Sequence, residues 1–349
     1  MRRPLVLLAA LVMSLGGLAV APGPAQAQAA AEPTVTRLPF GHPADVVSAG
    51  DRVFISGGRD ATQIVVASAA GAITATIDGL EGPTDLQLST DRRTLYVALP
   101  SADKIVAYDT GSLTQSAVHD TAGGTCPSTL AYAGRYLFFG YGCSGESGEI
   151  GKIDLARQPA VVTTGLTGQR FGAPRPATAL RNSKVLFVGD EGGSPWTGYS
   201  YTIGAGGTLT SVGSTSQLGG NLSDAAVDPT GATVYTASGS PYRLQSFSMA
   251  DPTRTGPSYS IAPYPNAVEL TRDGTRIAGG SDAAYDGDVF VFDIDGTSVA
   301  AFDLGGRDHL LTRGGLAWAP NGRRLYAISD DGSAYQAPAQ LHVLPVPAA

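Results

Sequence analysis

One hairpin pattern recurs seven times along this chain, and that recurrence limits the possible folds more than any other feature. Each copy has a turn-like start, a short apolar strand, a tight turn and a second apolar strand, as in "PTDLQLSTDRRTLYVA" from Pro83. The copies begin at His42, Pro83, Cys126, Arg175, Leu222, Pro265 and Arg313. Their spacing of roughly 40 to 49 residues is the period of four-stranded propeller blades rather than of helical solenoids.

Two further strand patterns follow each hairpin. The first alternates clearly, as in "KIVAYDT" from Lys104, and the second is weaker, as in "SVAAFDL" from Ser298. Alternation with period two is typical of half-buried strands. Because a ring of blades covers both faces of every blade, we predict an all-β fold: a seven-bladed β-propeller of four-stranded antiparallel blades.

The two ends of the chain complement each other. The last repeat supplies a third strand, "QLHVLPV" from Gln340, and ends at Ala349 without a fourth. The segment "TVTRLPF" from Thr34 has no hairpin of its own. We therefore predict that the N-terminal strand completes the last blade and closes the ring, so that residues 34–349 form a single propeller domain.

The first 27 residues have the order of a secretory signal peptide. Arg2 and Arg3 precede an apolar run from Leu5 to Val20, and the small residues Ala25-Gln26-Ala27 follow. The run is shorter than the ~20 residues that a bilayer requires. We expect cleavage after Ala27, a short linker over residues 28–33, and a secreted, extracellular or cell-envelope protein that is not inserted in the membrane after cleavage.

Composition narrows the class of partner. The formal net charge is −7, there are only three lysines, and removal of Arg2 and Arg3 with the leader makes the charge about −9. A chain with this negative net charge and few lysines is not expected to bind nucleic acid or anionic membrane surfaces. With 46 Gly, 23 Pro and 15% charged residues the chain has few helix-forming stretches. We expect a monomer that binds a protein or polysaccharide partner and requires no cofactor.

Two segments resemble a known family. "PTDLQLSTDRRTLYVALPSADKIVAYDT" resembles the YVTN-type repeats of YncE-like bacterial propellers, and "PYPNAVELTRDGTRIAGGSDAAYDGDVFVFDIDG" is similar to secreted actinobacterial propellers. The resemblance covers nearly the whole mature chain and implies the propeller fold. It implies no catalytic residues, because the family has no shared catalytic signature.

Sequence motifs for nucleophile elbows, zinc proteases and P-loops are absent, but one repeat position carries carboxylates. Across the seven repeats it is occupied by Asp45, Asp85, Thr129, Thr178, Asp224, Ala267 and Gly315. This position enters the innermost strand, so we expect Asp45, Asp85 and Asp224 at one mouth of the central channel, with Asn266, Glu269 and His309 near them. Such a ring could hold a divalent cation. Alternatively, each aspartate accepts hydrogen bonds from the backbone of its own or the adjoining blade.

A second group of candidates is aromatic. Trp196, Tyr242, Tyr285 and Tyr335 lie at comparable places between the second and third strands of their repeats, mixed with Asp and Glu. These loops belong to the face that carries the aspartates. Aromatic rings beside carboxylates suit a sugar or a peptide. The alternative is that the rings cover the seams between blades.

Two functions are therefore open. One is a noncatalytic secreted module that binds a partner through an acidic, aromatic face. The other is a metal-assisted lactonase or other hydrolase at the channel mouth. The enzyme is favoured if one metal ion can be reached by Asp45, Asp85, Asp224 and Asn266. The binding module is favoured if the carboxylates are dispersed around the mouth of the channel.

The two cysteines lie in one repeat. If "CPSTLAYAGRYLFFGYGC" is a hairpin with Gly134-Arg135 at its tip, counting outward places Cys126 opposite Cys143. An even pair in an exported chain favours a disulfide. Two free thiols, or a register slipped at Pro127, are the alternatives.

Overall fold

The computed structural model describes residues 32–143, 148–191, 194–216, 219–283, 287–305, 309–330 and 338–348. Within these residues, 28 strands form seven four-stranded antiparallel sheets, and the helical content is limited to two short 3-10 turns, Pro100–Ala102 and Ala205–Gly207. The predicted seven-bladed propeller is confirmed.

Six blades use four consecutive strands each. Blade 1 contains β2(Asp45–Ala49), β3(Arg52–Ser56), β4(Gln63–Ser68) and β5(Ile73–Asp78), and blade 2 contains β6(Leu86–Leu88), β7(Thr94–Leu99), β8(Lys104–Asp109) and β9(Gln115–Asp120). Blade 3 contains β10(Pro127–Ala133), β11(Tyr136–Tyr141), β12(Glu149–Asp154) and β13(Val161–Thr163), and blade 4 contains β14(Pro174–Thr178), β15(Val185–Asp190), β16(Gly198–Ile203) and β17(Leu209–Thr215). Blade 5 contains β18(Gly220–Val227), β19(Thr233–Ser240), β20(Arg243–Ser248) and β21(Tyr259–Ser260), and blade 6 contains β22(Pro265–Leu270), β23(Arg276–Ser281), β24(Val289–Asp293) and β25(Ser298–Phe302).

Blade 7 joins the two ends of the chain. It contains β26(Leu310–Trp318), β27(Arg324–Asp330) and β28(Gln340–Pro345), and its outer strand is β1(Thr34–Arg37). Strand β1 runs antiparallel to β28, with Thr34 opposite Val343 and Arg37 opposite Gln340. The predicted closure by the N-terminal strand is confirmed, and it pairs the otherwise free edge of β28.

The core consists of seven seams between neighbouring blades. Each of seven apolar clusters draws its main residues from two adjacent blades. Between blades 1 and 2, for example, Ile64 and Val66 pack with Leu95 and Val97. The middle strands are buried because both of their faces are covered. Most residues of outer strands such as β5 are exposed to solvent.

The first strands of successive blades contact one another and form the innermost ring. We call the face where these strands begin the entry face; it also carries the loops between second and third strands. The opposite face, which carries the hairpin turns, is the hairpin face. At Gly134 and Gly322 the hairpin turns require φ values of +64° and +66°, which glycine adopts without strain.

A disulfide joins Cys126 to Cys143, with 5.1 Å between their Cα atoms. The predicted tip is confirmed, since Ala133 lies opposite Tyr136. The register differs from simple counting, because a bulge between Pro127 and Thr129 shifts the pairing by one residue. The bond therefore forms beyond the bulge, next to the backbone hydrogen bond from Gly142 to Thr125. In the described residues no helix is long and apolar enough to cross a membrane.

Candidate functional site at the entry face

A cavity of about 310 Å³ runs along the centre of the ring. Residues from the first strands of all seven blades line it, from Asp45 in blade 1 to Trp318 in blade 7. The sequence therefore predicts the location of Asp45, Asp85 and Asp224 correctly: all three line this channel at the end near the entry face.

Each of these aspartates connects its blade to the next one. Asp45 accepts a hydrogen bond from the backbone N–H of Leu86 at 2.8 Å, and Asp85 accepts one from Leu130 at 2.6 Å. The corresponding bond to Asp224 comes from Val268 in blade 6, at 2.9 Å. Asp45 and Asp224 also accept the N–H of the residue that follows them. This is the backbone-binding role that the sequence left as an alternative.

Blade 4 departs from the alignment of repeats. The position equivalent to the aspartates is Arg175, not Thr178, because the loop between β14 and β15 is longer than the other hairpin turns. Arg175 forms an ion pair with Glu191, and its Nη1 lies 3.6 Å from Oδ1 of Asp224. Burial lowers the pKa of Arg175, but the carboxylates of Glu191 and Asp224 more than offset this, and its pKa is raised. The guanidinium thus partly neutralises the channel acids.

Burial in the channel raises the pKa of its carboxyl groups, and the nearby guanidiniums offset this only in part. Burial is the largest cause for Asp85, whose pKa rises to about 7 although Arg175 opposes the change. Burial and then the charge of Asp224 raise the pKa of Glu269 to about 8. Burial and then the charge of Asp85 raise the pKa of Asp45. Asp85 and Glu269 are therefore partly protonated near neutral pH.

Arginines bridge the channel at the hairpin face. Nη1 of Arg92 donates to the backbone oxygen of Ser48 in blade 1, at 2.8 Å. Nη2 of Arg272 in blade 6 donates to the oxygen of Thr90 in blade 2, at 3.1 Å, and its own backbone oxygen accepts a bond from Arg181 in blade 4. The bonds of Arg272 therefore connect blades 2, 4 and 6 across the hairpin face.

The aspartates do not form a common cation site. Among the described residues, the one group of three acid, histidine or cysteine ligand atoms within 4.8 Å of one another is Asp103 with Cys126 and Cys143. The two sulfurs of that group are bonded to each other. Asp103 instead accepts hydrogen bonds from the backbone of the loop, including Cys126 N–H at 2.7 Å. The carboxylates at the channel are therefore dispersed among different blades.

A second cavity opens on the entry face beside the channel, where blades 5, 6 and 7 meet. We call this cavity of about 410 Å³ the lateral pocket. The residues that line it are Ser223, Asn266, Asp282, Leu310, Leu311, Thr312, Arg313 and Asp330. Several are sequence neighbours of channel residues on β18 and β26, so the pocket adjoins the channel mouth.

Oxygen acceptors dominate the lateral pocket. Asn266 is 6% exposed; its Nδ2 donates to Leu311 at 2.7 Å, while its buried Oδ1 has no hydrogen-bond partner among the described residues. The same holds for Oγ1 of Thr312. Asp330 lies 3.8 Å from Nδ1 of His42, and burial raises its pKa. Asp282 is exposed at the rim. A buried acceptor without a partner is costly unless a ligand or water satisfies it.

Arg313 is the guanidinium of this pocket, and it is directed toward an acid. Its Nη1 lies 3.5 Å from Oε2 of Glu191, whose carboxylate also pairs with Arg175. The Arg313 side chain remains 53% exposed. One carboxylate, that of Glu191, therefore lies between the guanidiniums of Arg175 and Arg313.

Two exposed tyrosines stand next to the lateral pocket. Tyr242 is 51% exposed and Tyr264 is 54% exposed, and their ring centroids are 5.3 Å apart at 67°. The backbone oxygen of Tyr264 accepts a hydrogen bond from the N–H of Asp282, which places the tyrosine pair at the pocket rim. The sequence predicts the exposure of Tyr242 but misses Tyr264, which lies in the loop that enters β22. Its φ of +60° is unusual for tyrosine and aims this side chain outward.

The expectation that Trp196 presents an exposed ring is wrong. Trp196 is fully buried between blades 4 and 5, where it contacts Phe187 edge to face at 6.4 Å. Its Nε1 donates to Oγ of Ser238 at 3.0 Å. The ring turns toward the seam because a buried partner for its N–H is available there. Tyr285 and Tyr335 lie outside the described residues.

Comparison with known proteins supports the fold of this chain and does not identify its function. No protein-family model matches the chain, and no curated protein matches it. Among solved structures, the crystal structure of the Myceliophteria thermophila Cps50 (Swd1) beta-propeller domain is similar, with a TM-score of 0.65. The two chains are 12% identical, and the similarity covers 90% of this chain and all of that one. At this identity the likeness supports the propeller architecture alone.

Proposed function

We propose that this protein is a secreted, noncatalytic binding module that recognises a polysaccharide or protein partner through its entry face. The observation that carries the proposal is the exposed pair Tyr242 and Tyr264 beside the lateral pocket, where the buried Oδ1 of Asn266 has no hydrogen-bond partner in the part of the chain that the structure describes. Binding sites combine an apolar or aromatic surface with a few convergent polar groups, and this arrangement has both.

Binding is favoured over hydrolysis by the distribution of the carboxylates. Asp45, Asp85 and Asp224 are each engaged by the backbone of a different neighbouring blade. No three acid, histidine or cysteine ligand atoms at the channel lie within 4.8 Å of one another among the described residues, whereas a metal-assisted hydrolase needs its ligands within reach of a single ion.

Export is part of the proposal. The leader over residues 1–27 has the order of a signal peptide. The disulfide between Cys126 and Cys143 supports an oxidising compartment, because such bonds persist outside the cytosol. We also propose that the chain is a YncE-like propeller, on the basis of the YVTN-like repeat around Pro83.

The proposal is tested on arrays of polysaccharides and peptides probed with the mature protein, residues 28–349. The same arrays are probed with Tyr242→Ala/Tyr264→Ala and with Tyr242→Phe/Tyr264→Phe, which keeps both rings. We expect ligands that bind the parent and the Phe variant but are lost in the Ala variant. Equal binding by all three proteins, or no ligand on either array, contradicts the proposal.

A further inference from the structure

We propose, resting on the proposed function, that the lateral pocket binds an amino sugar: a hydroxylated ring that carries a primary ammonium group. The argument starts from an imbalance between acceptors and donors. Asn266, Thr312, Asp282 and Asp330 line the pocket, and Asn266 Oδ1 and Thr312 Oγ1 are buried without partners among the described residues. A ligand that satisfies them must bring N–H or O–H donors.

The charge of the region favours a cation among those donors. Asp282 and Asp330 lie in the pocket, and Asp45, Asp85, Asp224 and Glu191 lie at the adjoining channel mouth. The guanidiniums that face this group are Arg175 and Arg313, both beside Glu191, and the imidazole of His42 lies beside Asp330. Six carboxyl groups face two guanidiniums, and burial raises the pKa of five of the six, so a positive group beside them favours their ionised forms.

The number and spread of the acceptors favour a saccharide over a lysine side chain. An ammonium group has three N–H donors on one nitrogen, and the stem of lysine carries no others. The acceptors of the pocket come from four strands of blades 6 and 7: Asn266 on β22, Thr312 on β26, and Asp282 and Asp330 at the ends of β23 and β27. A compact ring with hydroxyls around its edge presents donors in several directions at once.

The tyrosine pair extends the site along a polymer. Tyr264 is linked to Asp282 through the backbone hydrogen bond at the rim, and Tyr242 stands beyond it. A sugar unit in the pocket therefore leaves the next unit over the exposed rings, where its apolar face covers them. Tyrosine faces also attract ammonium groups, which adds to the preference for an amino sugar.

The test is calorimetric titration of the mature protein with a glucosamine tetrasaccharide. Three matched probes separate the sources of binding: its fully N-acetylated form, a neutral glucose tetrasaccharide and tetralysine. The variant Asp282→Asn/Asp330→Asn removes two pocket charges and keeps the side-chain volumes. Asp51→Asn/Asp295→Asn is the control. Both of its residues are exposed on the hairpin face, and it changes the net charge of the protein by the same amount as the pocket variant does.

We expect the glucosamine tetrasaccharide to bind the parent and the control alike. Its affinity should fall at least about tenfold in Asp282→Asn/Asp330→Asn, and the N-acetylated and neutral probes should bind the parent at least about tenfold more weakly. The inference is overturned if the glucosamine probe does not bind, if the pocket variant binds it as well as the control does, or if tetralysine binds as tightly. If the neutral or acetylated probe binds better and depends on Tyr242 and Tyr264, the inference fails while the proposed function stands. Loss of all ligands on the arrays is the separate result that refutes the proposed function.

Discussion

Oδ2 of Asp45 accepts the backbone N–H of Leu86 at 2.8 Å, which fixes the start of blade 1 to the start of blade 2. The same relationship joins Asp85 to Leu130 in blade 3 and Asp224 to Val268 in blade 6. A carboxylate that satisfies an N–H in the neighbouring blade sets the position of that blade around the channel. The aspartates of the repeat therefore support the ring that carries the entry face.

Replacement of Asp45 by Ala should destabilise the propeller by about 1–3 kcal/mol, since the N–H of Leu86 loses its acceptor in a partly enclosed site. Urea unfolding followed by far-UV circular dichroism measures the effect. Asp51→Ala, in an exposed hairpin turn, should change stability by less than about 0.5 kcal/mol. Equal small effects of the two substitutions contradict the role of Asp45.

Replacement of Trp196 by Ala should cost about 3–5 kcal/mol, because a fully buried ring and its hydrogen bond to Ser238 are lost from the seam between blades 4 and 5. Tyr242→Ala, at an exposed ring, should leave the free energy of unfolding nearly unchanged. Thermal unfolding of the two variants makes the comparison. A stable Trp196→Ala protein would show that the ring does not hold the seam.

Removal of the disulfide should lower stability by on the order of 3 kcal/mol. The bond closes a loop with a sequence separation of 17 residues, and the chain-entropy account assigns about this value to such a loop. Cys126→Ser/Cys143→Ser is compared with the parent in urea, with and without reductant. The variant should be insensitive to reductant, whereas the parent should become less stable. Two free thiols in the unfolded, unreduced parent would contradict the bond.

Stability should fall as the pH rises from about 5 to 8. The folded protein raises the pKa of Glu269 to about 8 and that of Asp85 to about 7, so it binds more protons than the unfolded chain across this range. The free energy of unfolding then decreases with pH, by up to about 1.4 kcal/mol for each unit of pKa shift. Because Glu269 is partly exposed to the channel, solvent should reduce this value.

Glu269→Gln tests the origin of that pH dependence. The neutral amide has no charge to bury, so the variant should be more stable than the parent at pH 8 and its stability should vary less with pH. Asp51→Asn is the control at an exposed position. Parallel pH profiles for the parent and Glu269→Gln would show that this carboxyl is not responsible.

The fold was predictable from the sequence because it depends on a repeated local pattern, and the site was only partly predictable because it depends on departures from that pattern. The spacing of the hairpins and the unpaired strand at Thr34 led directly to seven blades and their closure. The alignment failed at Thr178, where a longer hairpin loop shifts Arg175 into the position of the aspartates.

The aromatic candidates illustrate the same limit. Trp196 and Tyr242 occupy equivalent loops, yet one ring turns into a seam and the other into solvent. Whether such a ring is buried depends on hydrogen-bond partners such as Ser238, which are distant in sequence from the ring. The exposure of Tyr264 follows from the conformation of its loop. The Oδ1 of Asn266, which has no partner among the residues described, lies where three blades meet, so no single repeat contains either signal.

The most direct test of the entry face as the binding surface is hydrogen–deuterium exchange of the mature protein, with and without the strongest ligand from the arrays. We predict that the ligand slows exchange in the segments around Tyr242, Tyr264 and Thr312 and leaves the hairpin turns near Asp51 and Asp295 unchanged. Protection confined to the hairpin face or to the outer strands would contradict the account.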